Sequence, residues 1–185
     1  NENINVDIHT TNKEFAGHKS REEAKTFIYA FIYGAGDEKI GSIIKGSRDA
    51  GKRLRERFLV SLPALRTLKE RVDRASEKKF LKGLDGRKIL IRHKHAALNS
   101  LLQGGGAIVM KKALTILNLD LQLNGIDAKI VANIHDEWQI EVKEAQADYV
   151  GRAGVQAIID AGVYYNMRCP LDGEYKIGES WYETK

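Results

Sequence analysis

The sequence predicts an α+β fold, with a mostly helical first part and a second part in which helices accompany a small antiparallel sheet. Apolar residues recur at helical spacing over 21–33 and again over 96–123. Two short segments on either side of residues 135–137 alternate apolar and polar side chains, which is typical of strands. A chain of 185 residues is long enough for one domain with an appended subdomain.

The first predicted helix runs from Arg21 to Tyr33. Ser20 can cap it, and Glu23 three residues later completes a capping box. Gly34 and Gly36 then end it, because glycine readily adopts the left-handed conformation that follows a helix.

Further helices are predicted over 47–59 and from Pro63 to about 77, since proline is tolerated in a first helical turn. Segments 80–84 and 88–92 flank Asp85-Gly86-Arg87 and predict a tight β-hairpin.

The second half is predicted to contain a helix over 96–123 interrupted by glycines 104–106, strands over 129–134 and 138–142, a helix over 145–161, and an irregular or strand-like tail over 169–185. Ile130, Ala132 and Ile134 should share the apolar face of the hairpin, because strand side chains alternate between faces.

Composition is that of an ordinary globular protein, with 43% apolar and 30% charged residues. No apolar run approaches the roughly 20 residues needed to span a bilayer, so no membrane association is expected. Cys169 is the only cysteine, which excludes an internal disulfide and fits a reducing cytoplasm. The chain starts at Asn1 without a signal-peptide pattern, and we expect it to be a fragment of a longer protein.

Charge is distributed unevenly along the chain. Residues 1–95 contain 22 Lys or Arg against 13 Asp or Glu, whereas residues 96–185 contain 8 against 12. The basic half suits a polyanion such as nucleic acid. Solvated helix faces explain the same excess equally well.

Four residues in the first helix recur at every fourth position: Arg21, Lys25, Tyr29 and Tyr33. At about 100° per residue they form one slowly turning stripe of two cations followed by two rings. Cations neutralise phosphates and rings pack on sugars or bases, so the order matches a nucleoside triphosphate. An ordinary surface helix with buried tyrosines is the alternative.

The turn His135-Asp136-Glu137 presents two adjacent carboxylates, which are the hard oxygen ligands that Mg²⁺ prefers. A plain polar turn is the alternative, because aspartate favours turns for its own backbone hydrogen bonds. Earlier in the chain, Asn99 and Gln103 place two amides on one helix face, where they can donate to minor-groove acceptors of any base pair.

The segment Arg21-x-x-x-Lys25-x-x-x-Tyr29-x-x-x-Tyr33-Gly34 resembles motif B of family A DNA polymerases, the O-helix of the fingers. The longer string from Ala24 to Glu38 is most similar to phage replicative polymerases of the thioredoxin-recruiting type. His135-Asp136-Glu137 resembles motif C of the same family. Single-subunit RNA polymerases typically have Ser after the His-Asp pair, so Glu137 favours DNA synthesis.

The resemblance implies a nucleotide site. Arg21 and Lys25 would hold the β- and γ-phosphates, with Lys25 also the general acid toward pyrophosphate. Tyr29 would lie against the incoming sugar, and Tyr33 near the templating base pair. His9 matches a family position that touches a triphosphate oxygen.

The resemblance also implies two-metal catalysis with two Mg²⁺ ions in the complete site. Asp136 would be a direct metal ligand, Glu137 a nearby and less essential acid, and His135 a hydrogen-bonding support for the primer terminus.

Contacts to primer-template DNA are implied as well. Asn99 and Gln103 would track the duplex, with His95 one turn earlier, and Arg87 would contact the nucleic-acid backbone. Close approach of DNA would compensate for glycines 104–106, although close helix packing would also do so. Gly178-x-x-Trp181 resembles the ending of the family, so residues beyond Trp181 should be disordered or variable.

By this resemblance, residues 1–10 enter the palm, 11–79 form the fingers and 80–185 the C-terminal palm. Motif A, the thumb and any exonuclease should lie upstream of Asn1, so the isolated chain should be inactive. The implied function is the C-terminal part of a DNA-directed DNA polymerase acting in DNA replication in a phage-infected bacterial cytoplasm. Its partners would be primer-template DNA, dNTP, the segment with motif A, and thioredoxin bound through the thumb. The alternative is a non-catalytic remnant that binds nucleic acid or nucleotides.

Overall fold

The computed structural model describes residues 20–184, except for the side chain of Arg21. His9 therefore lies outside the described residues. The chain divides into two compact units, of which the first ends at Leu102 and the second begins at Gln103. This division follows internal contacts, and the assignment of fingers and palm to 11–79 and 80–185 stays a prediction.

The predicted α+β class is confirmed, with long helices and two separate antiparallel hairpins. The elements in chain order are α1 Arg21–Ile32, α2 Asp37–Ile43, α3 Arg48–Ser61, α4 Pro63–Ala75, β1 Phe80–Lys82, β2 Lys88–Leu90, α5 Ala97–Leu123, β3 Ala128–Ile134, β4 Glu137–Val142, α6 Glu144–Tyr164 and α7 Trp181–Thr184. Short 3₁₀ turns follow α4 and precede α5.

The core of the first unit is built on three phenylalanines. Phe27 and Phe31 of α1 are buried and meet Phe58 of α3 edge-on, with ring centroids 5.0 and 5.4 Å from Phe58. Edge-to-face contacts of this kind add about 1 kcal/mol to the free energy of burial. Helix α1 begins where predicted, since the Ser20 hydroxyl accepts a hydrogen bond of 3.1 Å from the Glu23 N–H.

Three details of the first unit differ from the predictions. Helix α2 was not predicted, because its seven residues are too few to show a clear apolar period. The helix after Pro63 ends at Ala75, two residues early, and continues as a 3₁₀ turn. Strands β1 and β2 are three residues each, and the connection closes through the Gly83 N–H and the Arg87 carbonyl at 2.8 Å, so the loop is longer than a tight turn.

Helix α5 runs without a break through glycines 104–106, so the predicted interruption is wrong. Glycine costs a helix about 1 kcal/mol relative to alanine, but a formed helix propagates cooperatively. Val109, Ala113, Leu117 and Leu121 follow at four-residue spacing and are all buried, which stabilises the helix beyond the glycines. Between residues 20 and 184 no helix has the combination of length and apolar character that crossing a membrane requires.

The β3–β4 hairpin has a bulge at Val131. Ile130 pairs with Ile140 and Ala132 pairs with Gln139, so Val131 has no partner across the hairpin. Directly opposed residues share a face, which places Ala132 and Ile134 on the side of Gln139 and Glu137. The prediction that they share the face of Ile130 is wrong, because strict alternation fails where one strand gains a residue.

The C-terminal segment, residues 170–184, runs along α6 in the second unit. A Cβ on Gly162 would meet Leu171 at 3.0 Å, and a Cβ on Gly151 would overlap the ring of Tyr175. These two glycines therefore let the segment approach the helix closely. Residues beyond Trp181 were expected to be disordered or variable. Disorder is wrong up to Thr184, because Trp181–Thr184 form a helical turn that contacts β4, and variability stays a prediction.

Candidate functional site

Helix α1 separates its predicted binding stripe from its core. Tyr29 and Tyr33 are 51% and 57% exposed and Lys25 is half-buried, whereas Phe27 and Phe31 are buried. The buried rings pack the helix against the core of the first unit, so the two tyrosine rings stay on the solvent side. A helix with buried tyrosines was the alternative, and the exposure of both rings argues against it.

The carboxyl end of α1 is held by backbone contacts. Gly34 has φ +77°, and a Cβ there would overlap the carbonyl oxygen of His95. Arg55 of α3 donates to the Ala35 carbonyl at 2.6 Å and lies 3.0 Å from an Asp37 carboxylate oxygen. The connection that follows the tyrosine stripe is therefore tied to both neighbouring segments of the first unit.

Arg55 is a residue that sequence reasoning missed. It belongs to the basic run 52–57, whose composition alone indicates only a solvated helix face. Its position held a usable signal, because it lies between the buried Leu54 and Phe58 and one turn after the buried Gly51. An arginine beside an apolar stripe extends its stem over that stripe and brings its guanidinium to a nearby carbonyl.

Arg87 lies in the β1–β2 loop and is paired within that loop. Its Nε donates to Asp85 Oδ2 at 2.6 Å, and its side chain stays 58% exposed. Desolvation acts to raise the pKa of Asp85, but hydrogen bonds and the charge of Arg87 hold that pKa below its ordinary value. The guanidinium is thus oriented before any ligand arrives.

Helix α5 carries the two predicted amides, which have different environments. Asn99 is half-buried, and its Oδ1 is enclosed without a hydrogen-bond donor from the described part of the chain. Gln103 is exposed one turn later. Just before the helix, the exposed His95 stacks on His93 with ring centroids 5.5 Å apart.

The turn between β3 and β4 has only two residues, His135 and Asp136, because Ile134 pairs directly with Glu137. His135 has φ +53°, a left-handed conformation that costs a residue with a side chain roughly 1 kcal/mol. His135, Asp136 and Glu137 are all exposed. The predicted turn is present, and it is one residue tighter than the sequence indicated because Glu137 begins the strand.

Glu137 is the anchored member of the carboxylate pair. Its Oε1 accepts hydrogen bonds from Gln139 Nε2 at 2.6 Å and from the indole Nε1 of Trp181 at 2.9 Å. The Thr184 hydroxyl donates to Gln139 Oε1 at 3.2 Å, which adds a further link from the tail to the strand. Asp136, the preceding residue, has no hydrogen-bond partner among residues 20–184.

Two tyrosine hydroxyls tie the rest of the second unit together. Tyr149 of α6 donates to Asp120 of α5 at 2.9 Å, and Tyr175 donates to Asp148 of α6 at 2.6 Å. In each case the hydrogen bond to the carboxylate raises the pKa of the tyrosine, with desolvation and charge repulsion adding to the shift.

An open cavity of about 1270 Å³ lies within the second unit, between the hairpin, α6 and the C-terminal segment. Asp136, Glu137 and Trp181 are among its lining residues, together with five further glutamates at 141, 144, 174, 179 and 183. The carboxylates of the turn therefore border a space large enough for a ligand.

The donor chemistry of the turn fits a divalent cation only in part. Asp136 and Glu137 provide hard oxygens, the ligand type of Mg²⁺. Among residues 20–184, no three His, Cys, Asp or Glu side chains form a group that could hold a metal ion. At the turn, the described residues thus provide two adjacent carboxylates and not a complete set of metal ligands.

Comparison with known proteins gives consistent matches. The family model described as DNA polymerase family A matches residues 2–183. The DNA-directed DNA polymerase of Escherichia phage Phieco32 is 40% identical over 96% of this chain and 30% of its own length. The enzyme of the same name from Escherichia phage T7 is 38% identical over 96% of this chain and 28% of its own length.

A solved structure, the POL domain of Pol1 from M. smegmatis in complex with DNA primer-template and dNTP, shares the fold. It superposes with a TM-score of 0.74 at 20% identity, covering 84% of this chain and 31% of that one. The chain spans about 30% of the length of the curated phage relatives it matches.

Proposed function

The chain belongs to DNA polymerase family A, and from this membership we propose that it is the part of a DNA-directed DNA polymerase that binds the incoming nucleotide and one catalytic metal. The reaction would be template-directed transfer of a dNMP to a primer 3′-OH during DNA replication. The observation that carries the proposal is the stripe of the half-buried Lys25 and the exposed Tyr29 and Tyr33 on a helix whose other side packs into an aromatic core.

In this proposal α1 binds the dNTP. Lys25, with Arg21 one turn before it, neutralises the β- and γ-phosphates, and Lys25 protonates the departing pyrophosphate. Tyr29 packs against the sugar and Tyr33 against the templating pair, because exposed rings gain from covering flat apolar surfaces. His9 contributes one further contact to the triphosphate.

The turn between β3 and β4 supplies carboxylates. Asp136 would bind Mg²⁺ directly, Glu137 would add negative charge beside it, and His135 would hydrogen-bond the primer terminus. In the complete site, Asp136 would help to hold two Mg²⁺ ions, of which one would activate the primer 3′-OH and the other would stabilise the leaving pyrophosphate. The described residues contain no group of three side chains that could hold a metal ion. Further ligands would therefore come from motif A, from phosphates and from water.

Primer-template DNA would be followed by Asn99 and Gln103 in the minor groove, with His95 and Arg87 on the backbone side. Amide donors suit this task because minor-groove acceptors are present on every base pair. Arg87, already oriented by Asp85, is prepared for a phosphate contact. A polymerase thumb, supplied by the rest of the protein, would bind thioredoxin as in the phage enzymes that the motif B string resembles.

The proposal is tested by mixing this chain with the polymerase segment that carries motif A and measuring Mg²⁺-dependent primer extension. The mixture should extend a primer, whereas the chain alone should not. Asp136→Ala should reduce extension by about a thousandfold or more, because it removes a metal ligand at the reacting centre. Duplex binding should change little.

Asp127→Ala is the matched control, since Asp127 is an exposed carboxylate immediately before β3, at the opposite end of the hairpin. Its extension rate should equal that of the unmodified chain. Duplex binding without extension in any mixture would favour the alternative, a nucleic-acid-binding remnant, and full activity of Asp136→Ala would rule out the assigned metal ligand.

A further inference from the structure

We propose that Trp181 is a positioning residue for the Glu137 carboxylate, so that the C-terminal segment helps to arrange the acidic pair at the β3–β4 turn. The inference rests on the proposed function and adds to it a residue 44 positions away in sequence. It assigns a role to the tail, residues 170–184, that the nucleotide and metal motifs do not include.

The contact itself is a hydrogen bond between a neutral donor and a carboxylate. The Trp181 indole N–H points to Glu137 Oε1 at 2.9 Å, and the Gln139 amide donates to the same oxygen at 2.6 Å. Oε2 accepts no hydrogen bond from the described residues. One oxygen is therefore fixed by two donors while the other stays available, which restricts the rotation of an otherwise mobile glutamate.

Contacts far from the turn determine where the indole lies. The Tyr175 ring covers Gly151, its hydroxyl binds Asp148 at 2.6 Å, and Leu171 covers Gly162. At the far end, a Cβ on Gly178 would meet Glu183 at 2.7 Å, so this glycine permits the close turn that leads into α7. The segment is thus attached to α6 at several points before it reaches Glu137.

A tail that only closed the fold would need no donor at this position. Phenylalanine would keep an aromatic ring at position 181, where Trp181 is 50% exposed and contributes little to a core. The specific feature is the N–H directed at the acid beside Asp136. Partners of this kind typically change metal affinity or activity by about 10- to 100-fold when the ligand itself depends on them.

The contact can be tested without any catalysis. The chain has two tryptophans, and the indole N–H of Trp138 is buried without a hydrogen-bond partner in the described chain. In a ¹⁵N–¹H spectrum of the whole chain, Glu137→Ala should move the Trp181 indole resonance upfield by removing its acceptor. The Trp138 resonance is the internal reference, although it adjoins position 137. Tyr182→Phe, next to Trp181 and 91% exposed, should move neither resonance.

The functional consequence is tested by primer extension in the mixture with the motif A segment. Trp181→Phe should raise the Mg²⁺ concentration for half-maximal rate about three- to tenfold, with the KM for dNTP unchanged. Tyr182→Phe should have no effect. When Glu137→Gln is already present, Trp181→Phe should raise the Mg²⁺ concentration for half-maximal rate by less than about a further twofold. Both changes act through one carboxylate, so their effects should not add.

Each outcome separates the two proposals. If Asp136→Ala abolishes extension but Trp181→Phe leaves the Mg²⁺ dependence at the level of Tyr182→Phe, the positioning role is overturned and the polymerase function stands. An unmoved Trp181 resonance in Glu137→Ala overturns the contact itself. If the mixture never extends a primer although the resonance moves, the contact stands and the proposed function fails.

Discussion

The hydroxyl of Tyr29 is the single atom on α1 from which the most specific chemical consequence follows. The ring is half exposed on the proposed nucleotide side of the helix, and no hydrogen bond from the described residues occupies the hydroxyl. It is therefore free to replace an interaction that a nucleotide loses when it lacks a 3′-OH. In family A, phenylalanine at this position disfavours dideoxynucleotides, whereas tyrosine accepts them.

We accordingly expect Tyr29→Phe to lower the incorporation of dideoxynucleotides relative to normal ones by about fivefold, since one hydrogen bond contributes about 1 kcal/mol. The ratio is measured by competitive primer extension in the reconstituted polymerase. Tyr33→Phe removes a hydroxyl one turn later and should leave the ratio unchanged. An equal ratio of dideoxynucleotide to normal incorporation in Tyr29→Phe and the unmodified chain would contradict the role given to the Tyr29 hydroxyl.

The properties of single residues, such as capping, burial and exposure, were predicted best from the sequence. The Ser20 cap, the burial of Phe27 and Phe31, and the exposure of Tyr29 follow from periods and donor chemistry within one or two helical turns. The positive φ of His135 could not be read in the same way, because it depends on the pairing of Ile134 with Glu137 across the hairpin.

Among helices and strands, the attachment of the tail to α6 can be tested with two glycines on one helix. Gly151→Ala would place a Cβ 2.6 Å from ring carbons of Tyr175, whereas a Cβ on Gly154 would meet nothing within 4 Å. Both changes gain up to about 1 kcal/mol of helix propensity. We expect Gly154→Ala to stabilise the chain and Gly151→Ala to be less stable than Gly154→Ala by about 1–3 kcal/mol.

Urea unfolding followed by tryptophan fluorescence measures the difference between these two variants. Gly151→Ala should also shift the Trp181 indole resonance, because the tail that carries it is displaced. Equal stabilities for the two variants would mean that the Tyr175 ring moves aside without cost.

The element boundaries show where local patterns stop being sufficient. The alternation of Ile130, Ala132 and Ile134 is regular in sequence, yet the bulge at Val131 reverses the face of the last two. Glycines 104–106 predict a break that α5 does not have, because burial further along the helix outweighs their propensity. In both cases tertiary contacts decide between local alternatives that are close in free energy.

In the candidate site, contacts between residues far apart in sequence were also beyond what local patterns predict. Motif B and motif C were recognisable because each is a short contiguous segment of the sequence. The contact of Trp181 with Glu137 joins residues on separate elements, and Arg55 with Ala35 joins positions 20 apart. The partner of neither residue follows from a local pattern, although the place of Arg55 beside the apolar stripe of α3 indicated that its guanidinium would reach a nearby carbonyl.

For the chain as a whole, the two compact units differ in how they should respond to pH. Tyr149 and Tyr175 belong to the second unit, and both have raised pKa values in the folded state. A raised pKa means that the hydrogen bond stabilises fully below the unfolded tyrosine pKa of about 10 and is lost as pH rises through the folded value. The second unit should therefore weaken above about pH 10.

Fluorescence isolates this effect, because both tryptophans, Trp138 and Trp181, lie in the second unit. In an alkaline titration the fluorescence change should precede the main loss of far-ultraviolet circular dichroism, to which both units contribute. The double variant Tyr149→Phe and Tyr175→Phe should shift the fluorescence transition to higher pH relative to its own neutral baseline. Coincident transitions in the unmodified chain would contradict the expectation.

The His95 carbonyl lies close against Gly34 and holds the carboxyl end of α1 in place, so any tilt of the helix would pivot at Gly34. Lys25 lies nine residues from Gly34, so at 1.5 Å per residue its Cα is about 13 Å from this pivot and that of Tyr33 about 1.5 Å. A tilt of about 10° would thus carry Lys25 through about 2 Å but Tyr33 through only a few tenths of an ångström. Such a tilt would make the proposed phosphate contact of Lys25 adjustable, while the ring of Tyr33, proposed to lie near the base pair, would stay almost stationary.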